Sequence, residues 1–385
     1  MTLATPRTPS RRRIAALLLA ALTALAVFTI AGCASPAPSP STDNPAPGGA
    51  PAEEPVTLRV ASLKGPTSIG LASLIAESDR LSADDDPAAP DPSQGDTAPA
   101  AMGDAAASGE SPAYAFTIAG TADEIVPALA SGDVDIALIP ANLAATLYQR
   151  TDGGIRVIDV NTLGVLYGLS GDESVRSMAD LAGRTVYLTG KGTVPQYTLE
   201  CLLDAAGVPL DALTLEYRSE PAEVVALLAA DPSAVGIVPQ PYATAALAQN
   251  ETLRTVLDLT EEWDLLAARS DQSARVFGRL VTGVTVARAA VIDEHPQAVA
   301  AFVEAHRASA ATAVNDPAAV APTVVDLGIV GSAAVAERAI PQCSIVCLTG
   351  AEMQDALAGY LAMLEERAPQ AIGGQLPDDD FYYLG

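Results

Sequence analysis

Residues 123–147, DEIVPALASGDVDIALIPANLAATL, decide the fold. A helical apolar spacing over ADEIVPALASG passes through Gly132 into the short apolar run VDIALIP, residues 134–140, and then into a second helical pattern, ANLAATLYQR. A short apolar run bounded by turn residues and followed at once by a helix predicts a strand of a parallel sheet. Such strands need crossover helices, and those helices cover both faces of the sheet. Residues 222–247, AEVVALLAADPSAVGIVPQPYATAAL, repeat the plan: helix, turn, an apolar strand ending at Pro239 where the first copy ends at Pro140, and a new helix.

Outward from these segments the same rhythm continues. Before the first copy come a strand (VTLRVASL, 56–63), a helix (TSIGLASLIAE) and a strand (YAFTIAG, 114–120). Before the second come a strand (RTVYLTG), a helix (PQYTLECLLDAAG) and a strand (LTLEYRS). Two long extended stretches, 154–171 and 279–292, flank the second copy, and helical patterns follow to the end of the sequence. The expected architecture is α/β with two lobes, each a mostly parallel sheet flanked by helices. Lobe I is 56–164 plus 284–385 and lobe II is 165–283, with crossings near Leu163–Val165 and Gly283–Thr285 acting as a hinge.

A length of 385 residues suits two lobes better than one core. With 21 basic against 47 acidic residues, a nucleic-acid or anionic-lipid partner would be repelled. Residues 1–32 read as a signal peptide: Arg7 and Arg11 to Arg13, an apolar run from Ile14 to Ile30, and IAGC closing at Cys33. Its removal would make the chain four charges more acidic than the −26 of the whole sequence. The IAGC ending resembles a lipobox, in which Cys33 carries a diacylglycerol, although Ile30 stands where Leu is usual. Residues 33–55 are the lipid-anchored Cys and a Pro/Ala/Ser/Gly tether. Residues 78–112, acidic and rich in Ala, Pro and Gly, read as a disordered insertion.

The only two lysines are Lys64, in LKGPT, and Lys191, in TGKGT; the other basic residues are arginine. Both follow a predicted strand and precede a predicted helix, where an open parallel sheet binds its ligands. Gly65, Gly190 and Gly192 permit close backbone approach, Pro66 suits a first helical turn, and Thr67 and Thr193 add hydroxyls. Gly120 and Thr121 end the next strand, with N-capping as the rival role for Thr121. Pro140 with Asn142, and Gln240 after Pro239, end the third strand of each copy, again with capping as the rival, and Thr162 sits at the first crossing. Tyr197, Tyr242 and Trp263 can stack on a planar ligand or pack internally. Neither lysine loop has the spacing of a Walker phosphate loop.

No catalytic residue, cofactor site or metal site is read from the sequence. His295 and His306 are assigned surface or capping roles, Cys201, Cys343 and Cys347 read as small buried apolar groups, and no Cys/His spacing is that of a zinc site.

The segments RVASLKGPTSIGLASL, ALASGDVDIALIPANLAA, DLAGRTVYLTGKGTVPQYTLECLLDAAG, DEHPQAVAAFVEAH and GGQLPDDDFYY together resemble the substrate-binding lipoproteins of ABC importers. The likeness is to the nitrate, sulfonate, taurine and thiamine-precursor group with the type 2 periplasmic-binding fold, and it spans most of residues 56–385. It implies a monomeric, non-enzymatic protein lipid-anchored to the outer face of the cytoplasmic membrane. Such a protein would capture a small sulfonate, carboxylate or heteroaromatic precursor and pass it to an ABC permease and its ATPase. Menaquinone-pathway lyases and thiamine-pyrimidine synthases look similar and define the enzymatic alternative; the export signal and the lack of a histidine in any predicted cleft loop weigh against it. A sensor or interaction module that has lost transport is the third reading.

Overall fold

A computed structural model describes residues 56–84, 112–269 and 278–385, all within one compact unit, Glu54–Gly385. The signal peptide, Cys33, the tether and most of the acidic insertion lie outside the described residues. The chain runs β1 (Thr57–Leu63), α1 (Pro66–Ile69), α2 (Ala72–Asp84), β2 (Ala113–Ala119), α3 (Ala122–Ser131), β3 (Ile136–Pro140) and α4 (Ala141–Arg150). It continues through β4 (Ile155–Leu163), β5 (Leu166–Ser170), β6 (Thr185–Leu188), α5 (Val194–Ala205), β7 (Thr214–Tyr217), α6 (Pro221–Ala230), β8 (Val235–Pro239) and α7 (Tyr242–Gln249). After β9 (Arg254–Asp258) and α8 (Leu259–Arg269) come β10 (Val281–Arg288), α9 (Ala289–Glu294), α10 (Pro296–Asn315), α11 (Pro317–Asp326), α12 (Ala333–Ala339), β11 (Ile345–Leu348) and α13 (Gly350–Arg367).

These strands make two sheets, ordered β11-β4-β10-β3-β1-β2 and β7-β6-β8-β5-β9. In the first, β2, β1 and β3 are parallel and β10 lies antiparallel to β3. In the second, β7, β6 and β8 are parallel and β5 lies antiparallel to β8. The duplication read from the sequence is therefore a duplication of topology: β1 corresponds to β6, β2 to β7, β3 to β8, and β10 to β5. β3 and β8 share the same burial, four buried positions and a half-buried proline, as expected of strands covered on both faces. The edge strand β2 instead alternates exposed and half-buried residues.

One face of the first sheet, with Leu58, Val60, Ile136 and Leu138, packs on Leu74 and Ile75 of α2 and on Val299 and Phe302 of α10. Each such fully buried side chain contributes roughly 1.5–3 kcal/mol. Helix α13 buries Leu357, Tyr360 and Leu361 in the same cluster as Leu199 and Cys201 of α5 and Trp263 of α8. A helix within the range assigned to lobe I thus packs on side chains of lobe II.

Two details differ from the sequence reading. The expected helix 67–77 is broken at Gly70–Leu71 into α1 and α2, and α2 runs on to Asp84, so the first residues of the predicted disordered insertion, 78–84, are helical. Ser78 there donates to the Tyr114 carbonyl of β2 at 3.1 Å, a tertiary bond that composition does not reveal. The return strand β10 joins the first sheet at Val281, paired with Leu163, so the second crossing precedes Gly283.

Candidate ligand-binding cleft

The carboxyl ends of the parallel strands in both sheets open on one cavity of about 490 Å³. From the first sheet come Lys64, Pro66 and Thr67 after β1, Gly120, Thr121 and Asp123 after β2, and Pro140 at the end of β3. From the second come Gly190, Lys191, Gly192 and Thr193 after β6, Tyr217, Arg218 and Ser219 at and after β7, and Pro239 at the end of β8. Thr162, Val165, Thr282 and Gly283, beside the two crossings, also line it. Each wall is the same part of one plan, so Lys64 and Lys191 occupy equivalent loops in the two copies.

The backbone around each lysine is specialised. Gly65 has φ 147° and ψ −149°, a region essentially reserved for glycine. Gly190 has φ 74°, and a Cβ there would lie 2.5 Å from Thr193 Oγ1. The Thr193 hydroxyl closes the second loop by donating to the Gly190 carbonyl at 2.8 Å. The Gly192 N–H is already engaged, donating to Gln196 Oε1 at 2.8 Å. In the first loop the Thr67 hydroxyl donates to the Leu63 carbonyl at 2.8 Å.

Neither lysine ammonium has an ion pair or hydrogen bond among the described residues. Lys191 Nζ sits 5.7 Å from the Tyr217 ring centroid, within cation–π range. Burial, aided by Glu200 and Tyr197, pushes the Tyr217 phenol up to about 12, so it faces the cavity neutral. Arg218 is a third cation in the wall, but it is paired to Glu216 at 2.7 Å and rests on the Tyr187 ring at 5.1 Å. Asp123 is the acidic residue of the lining. The lining thus includes two lysines without an ion partner and several hydroxyls, groups suited to an anion; Lys191 Nζ stands over Tyr217, whereas Lys64 Nζ rests beside Gly328, outside the lining, 3.3 Å from where a Cβ on that glycine would lie.

Several predicted residues stand elsewhere. Asn142 is buried, donating to the carbonyls of Gly192 at 3.1 Å and Ala371 at 3.2 Å, and so ties the start of α4 to the Lys191 loop from behind. Gln240 is buried, donates to Gln342 Oε1 at 3.0 Å and accepts from the Thr244 N–H, capping the α7 start and bridging to the segment after α12. Tyr197 and Tyr242 pack in separate apolar clusters. Trp263 is fully buried, donates to the Gly278 carbonyl at 3.1 Å and packs on Tyr360. Gly65 shapes its loop without lining the cavity. Thr121 lines the cavity and also caps α3, its N–H and hydroxyl both donating to Glu124 at 3.0 Å.

The sequence reading did not include Tyr217, Arg218 and Ser219. Their signal was available: YRS ends β7 as AGT ends its counterpart β2.

His306 is a correction. Far from the surface, it is fully buried, its Nδ1 3.0 Å from Asp159 Oδ2, because the apolar face of α10 turns it inward against β4. A hydrogen-bond chain leads from there to the cleft: Thr285 donates to Asp159 at 2.7 Å, Asn161 to Thr285 at 3.1 Å, and Thr162 to Asn161 at 2.9 Å.

Comparison with solved structures bears on the fold. An ABC transporter protein from Parabacteroides distasonis matches at TM-score 0.63 and 22% identity, over 85% of this chain and 99% of that one. The aliphatic sulphonate binding protein of Escherichia coli matches at TM-score 0.59 and 15% identity, over 83% and 96%. The alkanesulfonate-binding protein of Xanthomonas axonopodis pv. citri, bound to MOPS, matches at TM-score 0.57 and 16% identity, over 85% and 96%. No family model matches the sequence, and no curated protein shows significant similarity to it. The chain has the two-lobed fold of periplasmic binding proteins. Among the described residues no helix is long and apolar enough to cross a membrane.

Proposed function

We propose that this protein is an extracytoplasmic solute-binding lipoprotein, tethered through Cys33, that captures a small organic anion in the cleft between its lobes and delivers it to an ABC permease and its ATPase. The observation that carries this reading is the pair of unneutralised lysines, one from each copy of the lobe plan, in a single cavity. A ligand held by both lobes binds the closed arrangement better than the open one, which drives closure. The hinge in this account is the pair of crossings at Gly164–Val165 and before β10. A cavity with a lysine and a tyrosine on one wall accepts a sulfonate or carboxylate carrying an apolar or heteroaromatic body. The protein acts as a monomer, without cofactor or chemistry of its own.

The test is a thermal-shift screen of the full chain against sulfonates, carboxylates and pyrimidines, followed by calorimetry of the hits. Charge-assisted hydrogen bonds contribute roughly 1.5–3 kcal/mol, so Lys64→Ala and Lys191→Ala should each weaken binding about 10- to 150-fold. Unchanged affinity in both variants contradicts the paired-lysine site.

A further inference from the structure

Three residues far apart in the sequence converge behind the cleft. Asp159 of β4, His306 of α10 and Cys347 of the edge strand β11 each offer a ligand atom, and these atoms lie within 4.8 Å of one another. Asp159 and His306 are fully buried and Cys347 is half-buried. We propose that these side chains form a binding site for a thiophilic divalent cation, with Zn²⁺ the best fit.

The chemistry of the set supports this. Ligand atoms around a tetrahedral Zn²⁺ at roughly 2.0–2.3 Å stand about 3.3–3.7 Å from one another, so the 3.0 Å Asp159–His306 pair opens slightly and any wider separation, at most 4.8 Å, closes to hold the ion. Thiolate, imidazole and carboxylate are the ligand types zinc takes, and three protein ligands leave a fourth position for water or a further ligand. One thiolate and one carboxylate cancel the charge of a dication, so the occupied site buries no net charge. The carboxylate is already oriented, because the Thr285 hydroxyl donates to Asp159 Oδ1 at 2.7 Å and leaves Oδ2 facing the imidazole. Cys347 has only a weak contact, 4.0 Å from its sulfur to the Val303 carbonyl, so the sulfur itself gives up no strong bond. Burial, then Asp159, push the Cys347 thiol up and Arg307 only partly opposes them, so the thiolate forms here only with the ion bound; Arg307 is itself occupied by Glu304 and Thr349.

Binding releases the Cys347 thiol proton to solvent and needs a bare His306 Nδ1, with the ring hydrogen on Nε2, so the 3.0 Å contact between Nδ1 and Asp159 is exchanged for two bonds to the ion; Nε2 has no partner among the described residues. The half-buried sulfur on the sheet edge provides the path of entry.

The experiment titrates the reduced, metal-free full chain with Co²⁺, then with competing Zn²⁺. The expected result is one equivalent bound with a thiolate-to-cobalt charge-transfer band that Zn²⁺ abolishes. Cys347→Ser should remove the band and weaken Zn²⁺ binding by at least about tenfold, and His306→Gln should do likewise. Cys201→Ser, at a thiol outside the cluster, should change neither. The absence of the band at stoichiometric Co²⁺, or its survival in Cys347→Ser, overturns the proposal. Cys347 is partly exposed on an edge strand, so that variant decides the matter even if His306→Gln does not fold.

Discussion

Replacing Gly164 by alanine probes the crossing between the two sheets. A Cβ at Gly164 would lie 2.2 Å from Thr260 Oγ1, 2.7 Å from its Cγ2 and 2.9 Å from its Cβ. All three atoms belong to one side chain at the start of α8, whose backbone is held by the Asp258 carboxylate accepting from the Thr260 N–H at 2.9 Å. Thr260 therefore cannot yield without moving the helix or leaving its rotamer. Overpacking of this kind costs about 1–3 kcal/mol, while the loss of unfolded-state freedom from Gly to Ala returns about 0.4–1 kcal/mol, for a net cost of roughly 1–2 kcal/mol. Thr260 Oγ1 has no hydrogen-bond partner among the described residues, so Thr260→Ala should be close to neutral by itself while removing the two nearest atoms. The double variant keeps the 2.9 Å approach to the residue-260 Cβ and should recover part of the stability, with a measurable coupling of about 0.5–1 kcal/mol. Urea unfolding followed by circular dichroism measures all four corners of the cycle. A Gly164→Ala variant as stable as the parent, or one whose cost is unchanged in the Thr260→Ala background, refutes the reasoning.

Three further outcomes are expected. Gln342→Ala removes the 3.0 Å bond from Gln240, which joins the two lobes, so ligand affinity measured by calorimetry should fall by about 0.5–1.5 kcal/mol with little change in thermal stability. For Asp135, burial raises its carboxyl pKa, but hydrogen bonds from the Arg59 side chain and backbone, and the charges of Arg59 and Arg288, outweigh burial and hold it below the ordinary value. Its contribution is thus fully present above the unfolded carboxylate pKa of about 4 and is lost as pH falls through the lowered one. Asp135→Asn should flatten the acid limb of a stability-versus-pH curve and leave its slope above neutrality unchanged. The single tryptophan, fully buried against Tyr360, should emit as an apolar, poorly quenched indole and respond to unfolding rather than directly to ligand contact.

What could be read from the sequence was what local pattern and repetition encode. The runs ending at Pro140 and Pro239, and the glycine-flanked loops at Lys64 and Lys191, were legible because strand, turn and helix signals recurred in the same order. The side chains around them were harder. Asn142 and Gln240 sit at strand ends as expected, yet long-range bonds to Ala371 and Gln342 turn them into braces behind the cleft. Trp263 was a candidate to meet a ligand until α13, nearly a hundred residues later, covered it. Arg218 was hidden because the strand LTLEYRS was not aligned with its counterpart in the first copy. His306 shows the same limit most clearly, since its partner Asp159 lies 147 residues away.

The central claim is that one small anion is held by equivalent loops of the two copies. A crystal structure of the full chain with the tightest-binding sulfonate or carboxylate tests it most directly. The account predicts the anionic group in the 490 Å³ cavity, contacted by the loops of both Lys64 and Lys191. A ligand seated outside that cavity, or touching the loop of one lobe alone, would contradict it.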